Sequence, residues 1–205
     1  MLTVPGSYTE GYFLLYSTPA GSRLLEKSEL ATVVGMENSS LNAYGRTINS
    51  NTIELTAATL SAAHQACLLA HELTHCLDMA FWNVTPETIT ATMTGATEIN
   101  AHYNQGLIAR QLGMMVVDME LTWSRAVSTM NNSRTTFGLI ADAWERKDVI
   151  DYLVRPGSFY RENVEALTQS KPLYVWGRDP DWERGNDLFH CEQHLALNNP
   201  QDPAW

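Results

Sequence analysis

Cysteine is scarce in this chain. There are three, Cys67, Cys76 and Cys191, in 205 residues. An odd count without framework spacing excludes a fold stapled by disulfides. Cys67 and Cys76 fall on one expected helix, roughly 13 Å apart along its axis, too far to bridge. All three are read as reduced thiols in a cytoplasmic setting. Basic charge is also short. Lys and Arg number 13 against 23 Asp and Glu, a formal net charge of −10. The basic footprint that nucleic acid or an anionic membrane surface requires is therefore missing, and neither is expected as a partner. No apolar run reaches the roughly 18 residues of a membrane span. The opening residues Met1 to Glu10 hold no basic segment, and the apolar Tyr12–Tyr16 run is too brief for a signal core. The expectation is a cytoplasmic protein, or one exported without a cleaved signal peptide. Repeats, low-complexity tracts, glycine-rich phosphate loops and a Gly-x-Ser-x-Gly elbow are all absent.

What the chain does have is His71-Glu72-Leu73-Thr74-His75. On a helix, residues four apart share a face, so two imidazoles meet at one point. Two neutral imidazoles are half the ligand set of a tetrahedral zinc ion. Glu72, one position round from His71, can reach an attacking water without ligating the metal, as a general base must. A chance match arises in roughly 1% of chains of this length and composition, so context decides. Ala57 to Phe81 contains no Pro or Gly and is rich in Ala and Leu, which predicts a strong helix, apolar nearly all round and hence buried. Buried His-Glu-His needs satisfied polar atoms, and a metal supplies that satisfaction.

The organisation along the chain predicts an α+β fold in a single domain, 1–205. Residues 1–56 carry short apolar runs at Tyr12–Ser17, Leu24–Lys27, Ala31–Gly35 and Ile48–Leu55. Turn signals such as Pro19-Ala20-Gly21 and Asn49-Ser50-Asn51 accompany them, and the pattern reads as a small N-terminal antiparallel sheet. Residues 57–112 hold the site helices: the motif helix, then one from Pro86 to about Leu112 with Thr85 as N-cap, Gly95 and Gly106 as weak points and Gly113 as terminator. Residues 113–205 are a helical remainder, with helices near Val116–Met130, Thr136–Val154 and Ser158–Gln169, and a tail from Lys171 ending in a short helix near Leu188–Leu197.

A catalytic zinc takes three protein ligands and keeps one position for water. Glu98 is the leading candidate for the third, on the helix that follows and with the small Ala101 one turn on to allow close approach. His102, on the same face, is the runner-up. If Glu98 ligates, His102 or Tyr103 is placed to stabilise an oxyanion or orient a ligand. Asp78, three beyond His75, either orients an imidazole or pairs elsewhere, and His64 reads as structural. His190-Cys191-Glu192-Gln193-His194 has two histidines four apart but no further ligand spacing, and reads as surface or packing. Trp123, Trp144, Trp176 and Trp182 read as packing residues.

Leu68-Leu69-Ala70-His71-Glu72-Leu73-Thr74-His75, preceded by the strand-like Ile53–Thr56 and followed by the Glu98 helix, resembles the zincin metallopeptidases, specifically a compact, single-domain form of the gluzincin branch. The metzincin extension is excluded, because Asp78 and Phe81 stand where that branch places its Gly and third ligand. The larger gluzincins often carry Asp four residues after the ligand Glu; here it is His102. The resemblance implies an edge strand before the site helix that binds substrate backbone, Zn²⁺ on His71, His75 and Glu98, and Glu72 as general base. It implies an endopeptidase acting on a protein or peptide substrate. The competing expectation is a non-catalytic zincin-like module that binds a protein partner, or a latent effector. An intact Glu72 argues against a purely structural site, which has no use for a base.

Overall fold

The computed structural model describes residues 2–28, 32–41, 43–57, 59–114, 153–154 and 160–170. Their order is β1 (Leu2–Thr3), a 3₁₀ turn (Gly6–Tyr8), α1 (Thr9–Ser17), α2 (Pro19–Ser28), β2 (Val33–Asn38), β3 (Gly45–Asn49), β4 (Thr52–Thr56), α3 (Ala62–Trp82), α4 (Ala91–Gln111) and α5 (Arg161–Ser170). The class is α+β. No described helix is long and apolar enough to cross a membrane.

The sheet departs from the antiparallel expectation. Its order is β1-β2-β4-β3, with β1–β2 and β2–β4 parallel and only β3–β4 antiparallel. Two runs expected as strands, Tyr12–Ser17 and Leu24–Lys27, lie instead in α1 and α2. The reason is local and topological. Pro19 is the first residue of a helix rather than the centre of a turn, and Thr18 Oγ1 caps that helix by accepting from the Gly21 N–H at 3.0 Å. A parallel β1–β2 pair also requires a crossover, and α1–α2 is that crossover. The expected run Ile48–Leu55 is broken by a turn at Asn49–Asn51, where Asn49 Oδ1 accepts from the Asn51 N–H at 2.9 Å. The two sides of this turn become β3 and β4. Consequently Ile53–Thr56 is not an edge strand. It pairs on both sides, and β3 takes the outer position.

α3 is the central element. Ser61 caps its start by accepting from His64 N–H, and Asn83, left-handed at φ 52°, ends it. Val33, Ile53 and Leu55 of the sheet and Leu69 and Leu73 of α3 share one core with Ile99 and Ile108 of α4. The second site helix starts later than expected. Thr85–Thr88 is a turn, and Thr90 Oγ1 accepts from the Met93 N–H at the start of α4. Gly95 does not interrupt α4. A Cβ there would sit 2.5 Å from the Asn163 carbonyl oxygen, so this glycine lets α5 approach. Gly113, at φ 67°, follows the helix end as expected. The expected helices near Val116–Met130 and Thr136–Val154 fall almost wholly outside the described residues. Ser158, the tail from Lys171, His190, Cys191, His194 and the four tryptophans Trp123, Trp144, Trp176 and Trp182 also lie outside them.

Candidate metal centre

α3 carries His71 and His75 one turn apart, and their Nε2 atoms converge to 3.1 Å. α4 packs beside α3 and brings Glu98 against both. Its Oε2 is 3.8 Å from His71 Nε2 and its Oε1 is 3.6 Å from His75 Nε2. One donor atom from each of the three lies within 4.8 Å of the others, and all three residues are buried. This group is able to hold a metal ion.

The donor chemistry supports that fit. Burial drives the His71 imidazole well below its usual range, helped by neighbouring His102 and His75. It pulls His75 down to about 3. Both rings are therefore neutral, and neutral imidazole is the ligating form. Burial raises the Glu98 carboxyl well above the usual range, and the Glu72 carboxylate adds to the rise. Glu98 Oε2 is a buried acceptor without a hydrogen bond among the described residues. Two imidazole nitrogens and the Glu98 carboxyl meet at one buried point, where ionising the carboxyl is costly without a cation and favourable with one.

The surrounding side chains orient the group. Thr97 Oγ1 lies 2.8 Å from His75 Nδ1. If that ring nitrogen carries the proton, Nε2 keeps its lone pair for the metal. His71 Nδ1 makes no hydrogen bond among the described residues, although the Gln105 side chain lies beside the ring. His102 Nδ1 is 2.9 Å from the Glu98 main-chain carbonyl oxygen and 3.4 Å from Glu98 Oε2. Its ring stands edge-on to His71, with centroids 4.7 Å apart, and also meets the Tyr160 ring at 5.6 Å. His102 thus touches both a histidine and the carboxylate of the group. Tyr103 belongs to the hydrophobic core with Ile99 and Leu107. Asp78 accepts a hydrogen bond from Asn100 Nδ2 at 2.7 Å and so ties α3 to α4. His64 Nδ1 meets Ser61 Oγ at 2.6 Å, at the start of α3.

Glu72 lies under β3. Thr47 Oγ1 is 2.9 Å from Glu72 Oε2 and 3.1 Å from its main-chain oxygen. Burial lifts the Glu72 carboxyl to about 7, although the Thr47 hydrogen bonds work against the rise. Sequence reasoning missed Thr47, Gly45 and Thr97. Thr97 had a signal, since it directly precedes Glu98. Thr47 had none, because its strand was not recognised as separate from β4.

Comparisons with protein-family models, with curated proteins and with solved structures return no match.

Proposed function

We propose that this chain is a zinc-dependent metallopeptidase of the compact, gluzincin-like zincin type. The observation that carries the reading is the convergence of His71 Nε2, His75 Nε2 and the Glu98 carboxylate within 4.8 Å. Glu72 supports it, one helix position from His71 and held by Thr47. Two imidazoles and a carboxylate suit zinc and leave room for a water. Zinc bound there would supply Lewis-acid polarisation of a carbonyl and a lowered pKa for water.

The chain's own residues do the rest. Glu72 accepts the proton of the attacking water and delivers it to the departing amine. His102, packed against His71 and Glu98, donates toward negative charge developing on the substrate oxygen or holds Glu98 in place. Strand β3 lies outermost in the sheet and has no further strand partner among the described residues. An extended peptide pairs with that edge, which favours cleavage within a chain over trimming of its ends.

Elemental analysis of purified wild type beside Glu98→Ala and His102→Ala tests the centre. The expected result is about one zinc per chain, lost in Glu98→Ala and retained in His102→Ala. Glu72→Gln keeps its zinc and loses turnover of a peptide library by at least about 100-fold. Full activity in Glu72→Gln would remove it as the base. A wild type that takes up no zinc would remove the enzyme reading.

A further inference from the structure

Gly45 and Thr47 lie two residues apart on β3 and so share the face turned toward α3. A Cβ built on Gly45 would lie 2.5 Å from Glu72 Oε1, 2.7 Å from its Cγ and 2.8 Å from its Cδ. All three atoms belong to one side chain. The backbone does not demand glycine here, because the only described glycine at positive φ is Gly113. What Gly45 provides is room for the Glu72 carboxylate. Thr47 provides direction, with its hydroxyl 2.9 Å from Glu72 Oε2. The strand itself is anchored from its other face, where the Arg46 guanidinium meets Glu54 of β4 at 2.6 Å.

We propose that β3 positions Glu72 for proton transfer, with Thr47 fixing one carboxylate oxygen and Gly45 leaving the space the carboxylate occupies. The inference rests on the reading of Glu72 as the base. In this role the Thr47 hydroxyl and the space left at Gly45 act through Glu72 rather than on substrate or metal directly. Because the same strand offers the free edge on which a peptide would pair, base and substrate are referenced to one backbone segment. A displacement of about 1 Å in such a group costs on the order of 100-fold in rate.

The test uses the full chain loaded with zinc and three variants: Gly45→Ala, Thr47→Val and Thr47→Ser. In Gly45→Ala the nearest atoms to the added methyl are the Cγ, Cδ and Oε1 of Glu72, a side chain rather than backbone, so the carboxylate is what shifts. Expected is a fall in kcat of about 100-fold in Gly45→Ala and Thr47→Val, with KM within about twofold of wild type. Thr47→Ser, which keeps the hydroxyl, restores most of the rate. Zinc content and melting temperature stay as in wild type. A second readout needs no turnover. Acetohydroxamate ligates zinc and donates a proton to an adjacent carboxylate, so its binding weakens in Gly45→Ala and Thr47→Val but not in Thr47→Ser. Wild-type kcat in either of the first two variants, a change confined to KM, or a Thr47→Ser as slow as Thr47→Val would overturn the proposal. If Thr47→Val fails to fold, Gly45→Ala decides alone. If wild type holds zinc but cleaves no peptide, the peptidase reading fails, and the hydroxamate series still decides whether β3 positions Glu72. A wild type without zinc overturns both.

Discussion

His75 is handled at both ends of its ring by neighbouring residues of α4. Thr97 meets Nδ1 at 2.8 Å, and Glu98 approaches Nε2 at 3.6 Å. One helix thereby presents the third donor and sets the orientation of the second. Thr97→Val removes the hydroxyl with little change of shape. Zinc affinity is expected to fall by about 10- to 100-fold, measured by competition with a chelating dye. An unchanged affinity would mean that packing alone holds the ring. At this scale the sequence was informative where chemistry depends on spacing along one helix. His71, Glu72 and His75 declare themselves because four-residue spacing is a geometric statement. Glu98 required a guess about a second helix, and the structure places it against both histidines. Thr47 and Gly45 were silent, because their importance lies in what they face across the chain. His102 was expected near the centre and is there. Tyr103, a sequence neighbour, takes its place in the apolar core instead.

Between elements, the α3–α4 contact is a ladder of buried polar pairs. Asp78 pairs with Asn100, and Thr74 accepts from Asn104 Nδ2 at 3.0 Å. The metal-capable group is a further rung of the same ladder. Replacing Asp78 by Ala leaves a buried amide with one acceptor fewer and is expected to destabilise by about 1–3 kcal/mol in urea unfolding. Gly95 makes a separate prediction at the α4–α5 contact. Gly95→Ala drives a methyl into a main-chain carbonyl, which cannot swing aside as a side chain does. The expected cost is about 1–3 kcal/mol in the same measurement. Wild-type stability would mean that α5 moves freely off α4. The long helices were legible because α3 has no breaker inside it and is bounded by Ser61 and Asn83. The short ones were not. In α1 and α2, Gly11, Pro19 and Gly21 look like turn residues. Here Gly11 admits Gln65 of α3, and Gly21 fits tightly against Leu15. The antiparallel expectation followed from the same misreading, since without those helices no crossover was available for a parallel β1–β2 pair.

For the molecule as a whole, the group joins α3 to α4, the pair with the most extensive contact among the described elements. A metal that binds only the folded chain stabilises it by mass action. At free zinc about 1,000 times Kd the gain is about 4 kcal/mol. Chelation is therefore expected to lower the melting temperature of wild type and to leave that of Glu98→Ala nearly unchanged, as followed by circular dichroism. Equal shifts in both would mean that the metal acts elsewhere.

The short Asn83–Thr90 connection between α3 and α4 bears on how fast the centre comes together. Contacts between elements adjacent in sequence close small loops, so little chain entropy is lost before they form. The parallel β1–β2 pairing must wait for two intervening helices. Chains dominated by local contacts cross their folding barrier sooner. The helical hairpin that carries His71, His75 and Glu98 is thus the part of the protein whose assembly comes early. In a mutational series across the folding transition state, Leu73 and Ile99 should have high φ-values and Leu2 and Val33 low ones.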